Sequence, residues 1–154
     1  MLSRFATPLV LLAVAVPLAA CGESETDKYV DEYKPLNDKL LKIGSDLGTA
    51  IDGVESKSDA ALAKQFTALA SRLEDVNKEI AALDTPADLK DESKALNEAL
   101  ETTTGDVEDI AEAAQENNAQ AAAAATLQLS TSAQEVNAAQ NKLAKATGAD
   151  VGQQ

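Results

Sequence analysis

The clearest hydrophobic pattern in this chain runs through residues 59–83, where large apolar side chains recur at alternating spacings of four and three residues. Such a heptad pattern predicts an amphipathic helix that buries one face against other helices. Ser58 and Asp59 predict its start, and Asp84-Thr85-Pro86 predicts its end. The positions that form this seam are Leu62, Phe66, Leu69, Leu73, Val76, Ile80 and Leu83.

A preceding segment carries the same spacing and predicts a first helix. Pro35 lies inside its pattern, so we expect the helix either to start near Lys34 or to kink there. Gly53 and residues 55–57 predict the turn to the second helix. The predicted core positions are Tyr33, Leu36, Leu40, Ile43, Leu47, Ala50 or Ile51, and Val54.

The third helix is predicted to begin at the Pro86 corner, with Thr85 as its N-cap. Its predicted seam contains Leu89, Ser93, Leu96, Leu100, Thr103, Val107, Ile110 and Ala114. The β-branched residues 102–104 and the glycine after them predict a bend or a weak point.

The fourth helix is predicted to begin at Asn117 or Asn118 and to end at Gly148. Its seam contains Ala122, Thr126, Leu129, Ala133, Val136, Gln140 and Leu143. The two polar positions on this seam could fix the helix register or line a pocket. We favour a slightly rotated seam, which places Thr126 and Gln140 at the boundary of the core.

Four amphipathic segments with short connections predict an all-α, up-down-up-down four-helix bundle over residues 27–147, followed by a flexible tail at 148–154. The alternative is a coiled-coil hairpin. Of residues 21–154, 25 are Val, Ile, Leu or Phe and 26 are Ala. We therefore expect a thin core in which small seam residues let the helices approach closely, and this argues against a large cavity.

An apolar run from Phe5 to Leu18 precedes the only cysteine of the chain, in the sequence Leu18-Ala19-Ala20-Cys21. This arrangement resembles the lipobox of bacterial lipoprotein signal peptides. A retained transmembrane helix is disfavoured, because it needs about 20 apolar residues. An ordinary secreted protein would leave one unpaired thiol.

The whole layout resembles small bacterial lipoproteins with a helical-bundle domain. The resemblance implies removal of residues 1–20, a diacylglycerol and an acyl chain on Cys21, and a short tether at residues 21–26. It also implies an extracytoplasmic position, at the cell membrane or at an outer membrane where one exists. With two or more acyl chains, the anchor would hold the protein stably.

Composition excludes several function classes. The chain has no histidine, and lipidation would consume its single thiol, so Ser–His and Cys–His catalysis and the usual zinc, copper and iron sites lack their ligands. We therefore predict no catalytic residues, no metal and no cofactor other than the lipid. Residues 21–154 hold 26 Asp and Glu against 12 Lys and Arg, which disfavours binding to nucleic acid or to anionic headgroups.

The acidic segment 84–116 has eleven carboxylates and two lysines, a net charge of −9. Its late residues Glu108, Asp109, Glu112 and Glu116 are the candidate interaction face for a basic envelope protein. The plain alternative is a solvated acidic surface, because no calcium-loop spacing is present. The main hypothesis is thus a membrane-anchored interaction or scaffold module; the alternatives are a carrier of a small apolar ligand and a structural oligomeric spacer.

Two smaller features carry expectations about packing. Gly44 and Gly48 form a G-x-x-x-G pattern, for which we expect a close helix crossing or a weak stretch of helix. Tyr29 and Tyr33 lie one helical turn apart just after the tether, and we expect them to cover the adjacent end of the bundle.

Overall fold

The computed structural model describes residues 24–148, which form four α-helices packed against each other. The helices are α1 (Glu25–Asp52), α2 (Asp59–Ala81), α3 (Lys90–Gln115) and α4 (Ala119–Thr147). Short 3₁₀ turns at Val54–Ser56 and Ala87–Leu89 lie in the first two connections. The described part of the chain contains no strand, and the predicted all-α four-helix bundle is confirmed.

The first helix begins earlier than its sequence pattern indicated. Ser24 caps it, since its hydroxyl accepts a hydrogen bond from the Asp27 amide at 3.0 Å and its own amide donates to the Asp27 carboxylate at 3.3 Å. This capping box satisfies amide donors that have no partner within the helix. The helix runs through Pro35, so the predicted start near Lys34 is wrong, and its first residues fall inside the segment predicted as tether.

The corner between α2 and α3 also differs from its prediction. The Thr85 hydroxyl donates to the Leu83 carbonyl oxygen at 3.3 Å, so Thr85 does not cap α3. Pro86 leads into the 3₁₀ turn, and the α-helix begins only at Lys90. The predicted weak point at residues 102–104 leaves α3 unbroken. The Thr103 and Thr104 hydroxyls there donate to carbonyl oxygens one turn earlier.

The predicted ends of α4 are confirmed. The Asn118 side chain accepts a hydrogen bond from the Ala121 amide at 3.1 Å and so caps the N-terminus. Gly148 ends the helix in the left-handed conformation, with φ of 65°, which glycine adopts without steric cost.

The core follows the predicted seams of α2 and α3 closely, and that of α1 except at Val54, which lies in the 3₁₀ turn after the helix and is 42% exposed. Every predicted seam position of α2 from Leu62 to Ile80 is buried, and so is every one of α3 from Leu89 to Ala114. In α4 the buried positions are instead Ala125, Leu129, Ser132, Ala139 and Leu143. This helix is therefore rotated relative to its predicted seam, and Thr126 and Gln140 lie at the boundary of the core, as expected.

The four helices do not contact each other equally. The third helix packs closely along both α2 and α4, whereas α1 packs mainly on α2 and approaches α4 at few positions. Two ion pairs join α1 to α2: Lys39 to Glu79 at 2.6 Å, and Arg72 to Asp46 at 2.7 Å. The seam between α1 and α4 is thus the least tightly packed of the bundle.

The two ends of the bundle also differ. At the Ser24 end, Tyr29 and Tyr33 are buried and stack with their ring centroids 6.1 Å apart. They therefore fill the core at the end from which the tether would leave. The opposite end, at Asn118, contains the α3–α4 turn, in which Asn117 has a positive φ of 53°.

Candidate functional site

A groove of about 610 Å³ lies between α1 and α4, where these helices diverge. Leu73 from α2 and Leu100 and Thr103 from α3 form its floor. The α1 wall contains Leu40, Leu41, Gly44, Leu47, Gly48 and Ile51, and the α4 wall contains Thr126, Leu129, Ser130, Ala133, Val136, Asn137 and Gln140. We call this space the α1–α4 groove.

Small residues on both walls leave the space open. A β-carbon built on Gly44 or Gly48 would meet no atom within 4 Å other than the helix's own backbone. The close helix crossing expected from the G-x-x-x-G pattern is therefore wrong. Ser130 and Ala133 are similarly short on the opposite wall, so no side chain fills the gap between the two helices.

A buried polar network closes the groove at the Ser24 end. The Gln140 side-chain amide donates to Asn37 Oδ1 at 3.0 Å, and the Tyr33 hydroxyl donates to the same side-chain oxygen at 3.5 Å. Burial raises the pKa of Tyr33 from 10.0 to about 12, so its hydroxyl remains a protonated donor even above pH 10. This network holds α1 against α4 and gives the groove a closed end.

Towards the Asn118 end the groove adjoins a second cavity of about 530 Å³. Ile51 and Thr126 line both spaces and lie at their boundary. Leu62, Phe66 and Ile110 contribute to the wall of this second cavity, and Asp59 is its one charged lining residue. From Gln140 to Thr126, the groove follows α4 for 14 residues, or about 21 Å.

The lining of the α1–α4 groove is uncharged. The Thr103 and Thr126 hydroxyls donate to the carbonyl oxygens of Ala99 and Ala122 within their own helices, at 2.9 and 2.8 Å. The Asn137 side chain is exposed and makes no hydrogen bond within residues 24–148. The groove can therefore bind apolar surface and offer an amide near its closed end, but its lining provides no ionisable group.

The predicted interaction face lies on the last turns of α3, at the Asn118 end. Glu108, Asp109, Glu112 and Glu116 are all exposed, and none makes an ion pair within the described residues. Carboxylates near a helix C-terminus are destabilising, because the macrodipole places negative partial charge there. The structure thus brings the four predicted residues together on one helix end, away from the α1–α4 groove.

The predicted lipidation and cleavage residues Leu18, Ala19, Ala20 and Cys21 lie outside the described residues. None of the helices in residues 24–148 is long and apolar enough to cross a membrane. In the same residues, no three Asp or Glu side chains converge as a potential metal site.

The sequence did not reveal the α1–α4 groove, although two signals for it are present. One is the pair Gly44 and Gly48. The other is the set of small and polar residues on the predicted α4 seam, which includes Thr126, Ala133 and Gln140. Both patterns are compatible with close packing and with an open gap. Only the separation of the two helices distinguishes these alternatives.

Comparisons with protein-family models, with curated protein sequences and with solved structures found no match for this chain. The function is therefore inferred from the groove, the acidic end of α3 and the sequence of the N-terminal segment.

Proposed function

We propose that the mature chain is a lipid-anchored, extracytoplasmic, non-enzymatic binding protein, and that the α1–α4 groove binds an apolar ligand. The observation that carries this proposal is the uncharged groove of about 610 Å³ between two helices of one bundle. Its volume falls within the range typical of small-molecule sites, about 300–1,000 Å³. Ligand binding, which ranked second on the sequence alone, is thereby favoured over a purely structural role.

The exposed apolar surface of the groove supports a ligand. Leu41 lies on the rim and is 50% exposed, and Ile51 and Val136 are only partly buried. Larger side chains at Gly44 and Gly48 would cover this surface, and glycine is unfavourable inside a helix by about 0.5–1 kcal/mol relative to alanine. The chain thus forgoes helix stability at the positions where a larger side chain would fill the groove.

The anchor and the location are supported by the sequence around Cys21. Because α1 begins at Glu25, the bundle would follow the lipidated cysteine after only three residues. The Ser24 end would then face the membrane, and the groove would open on the half of the bundle farther from it. The chain has no histidine, and lipidation would consume its single thiol, which supports a non-enzymatic role.

A paired set of variants tests the groove. The uncharged probe N-phenylnaphthylamine is titrated into full-length protein extracted from membranes, and its fluorescence is recorded. We expect Gly44→Leu/Gly48→Leu to weaken binding about tenfold or more, because the new side chains occupy the groove. The control Ser45→Leu/Thr49→Leu adds the same side chains to α1 at exposed positions outside the groove and should bind as the wild type does.

Two results would contradict the proposal. The absence of saturable probe binding to the wild-type protein would exclude the groove as a site for apolar ligands. Equal binding by the two double variants would locate the probe elsewhere. Separately, labelled palmitate should enter the wild-type chain but not Cys21→Ser, and labelling of both would exclude Cys21 as the attachment site.

The acidic end of α3 favours a second function, contact with a basic envelope protein. Its four carboxylates are exposed, lack ion pairs in the described structure, and lie where the helix dipole disfavours them. Crosslinking in intact cells compares the wild type with the variant in which Glu108, Asp109, Glu112 and Glu116 become their amides. We expect loss of crosslinked partners, and the same partners after neutralisation would refute this role.

A further inference from the structure

We propose that the ligand of the α1–α4 groove is one long-chain lipid with an uncharged polar group. Its polar end would lie beside Asn137, and its hydrocarbon chain would run towards Ile51 and Thr126. This inference rests on the proposed function, because it names the class of ligand that the groove takes. Width, length and charge of the groove each support it.

The closed end of the groove restricts the width of its occupant. The hydrogen bond between Gln140 and Asn37 brings side chains of α4 and α1 to 3.0 Å at that end. A helix with its side chains is about 10–12 Å across and cannot insert between α1 and α4 at that end. A single hydrocarbon chain is much narrower, so it can lie between the two helices from Asn137 to Thr126.

The length of the groove suits a complete lipid chain. The groove follows α4 for about 21 Å from Gln140 to Thr126. The hydrocarbon core of a bilayer is about 30 Å thick, so the chains of one leaflet span about 15 Å. The groove therefore accommodates one such chain along its whole length.

The charge of the lining selects against anionic lipids. No Lys or Arg lines the groove to pair with a carboxylate or phosphate, and residues 21–154 carry 14 more acidic than basic side chains. An anion bound there would lose water without gaining a counter-ion, which is unfavourable. The free Asn137 amide can instead hydrogen-bond a hydroxyl, ester or amide near the closed end of the groove.

The chain's own lipid anchor does not fit as the occupant. From Ser24 to Leu40, where the groove begins, α1 extends for 16 residues, or about 24 Å. Fully extended, residues 21–24 add about 10 Å to the span of about 15 Å reached by the chains of one leaflet, so the anchor's hydrocarbon reaches at most the near end of the groove and cannot run along it. The ligand is therefore a separate lipid molecule, bound in the half of the bundle away from the anchor.

Competition against N-phenylnaphthylamine on the full-length protein tests the ligand class. The competitors are a long-chain monoacylglycerol, the fatty acid of the same chain length, and an amphipathic helical peptide. At neutral pH we expect the monoacylglycerol to displace the probe at a concentration about tenfold or more below that of the fatty acid. The peptide should not displace it.

A charge introduced at the polar end tests the orientation. Asn137→Lys should lower the concentration of fatty acid needed for displacement about tenfold, because the ammonium group pairs with the carboxylate. Gln128→Lys, an exposed position of α4 outside the groove, adds the same charge and should leave the preference unchanged.

The outcomes separate the two proposals. If leucine at Gly44 and Gly48 blocks the probe but the fatty acid competes as well as the monoacylglycerol, this inference is wrong and the groove remains a binding site. Displacement by the peptide alone would identify a helical partner instead of a lipid. If no apolar probe binds the wild type, the proposed function itself fails.

Discussion

Replacement of Gly44 and Gly48 by alanine should stabilise this protein, and the sign of the effect tests the description of the groove. Both glycines lie inside α1, and a β-carbon at either position has no neighbour within 4 Å outside the helix's own backbone. Alanine therefore gains helix propensity without a clash. We expect each substitution to raise the free energy of unfolding by about 0.5–1 kcal/mol.

The two effects should nearly add. The new methyl groups lie one helical turn apart and are too small to compete for space, so the double variant should gain about 1–2 kcal/mol. For a domain of this size, such a gain raises the melting temperature by roughly 4 °C per kcal/mol. Urea unfolding, monitored by far-ultraviolet circular dichroism, measures the change. The slope of the unfolding free energy against urea concentration should stay constant.

Two other glycines provide controls, one expected to stabilise the protein when replaced by alanine and the other expected to destabilise it. Gly105→Ala in α3 also has no neighbour within 4 Å, so it should stabilise by a similar amount without touching the groove. Gly148→Ala should destabilise, because its φ of 65° is unfavourable for alanine. A loss of about 1–3 kcal/mol for Gly44→Ala/Gly48→Ala would refute the reasoning, because overpacking at a close helix crossing has that cost.

Three further predictions concern polar groups. Gln140→Leu should lower stability by about 0.5–1.5 kcal/mol in urea unfolding, because it removes one of the two hydrogen bonds to the Asn37 side-chain oxygen, and an unchanged midpoint would contradict this. A double-mutant cycle on Arg72 and Asp46, whose side chains are 42% exposed, should give a coupling below about 1 kcal/mol, and a much larger value would show stronger shielding from water than the structure has. Burial raises the pKa of Tyr33 from 10.0 to about 12, so the folded state retains a proton that the unfolded state loses in this range. The free energy of unfolding should therefore fall as the pH rises from 10.0 to about 12. Urea midpoints measured across this pH range should decline less steeply for Tyr33→Phe than for the wild type.

The sequence predicted most of the fold correctly because the core positions of α2 and α3 are marked by large apolar residues. A side chain such as Phe66 or Leu96 stabilises the protein only when buried, so its spacing specifies which face of the helix packs inwards. Helix ends were less predictable. Thr85 had the right residue type for a cap, yet the Pro86 corner places a 3₁₀ turn before α3.

The two candidate sites also differ in how well the sequence predicts them. The acidic residues at the end of α3 could be identified from sequence, since charged side chains on an amphipathic helix stay exposed opposite its apolar face. The groove could not. Alanine, glycine, serine and threonine on α4 and α1 suit both a close contact and an open gap, and their small apolar area barely discriminates between the two.

The amino-acid sequence by itself determined that the chain forms four amphipathic helices and which faces of α2 and α3 are buried. Only the tertiary structure decided how α4 rotates and how far α1 stands from it. The ion pairs and core contacts of α1 hold it on α2, and the Gln140–Asn37 bond joins it to α4 at one end. The gap that remains depends on contacts between residues far apart in the chain, and no local spacing encodes that distance.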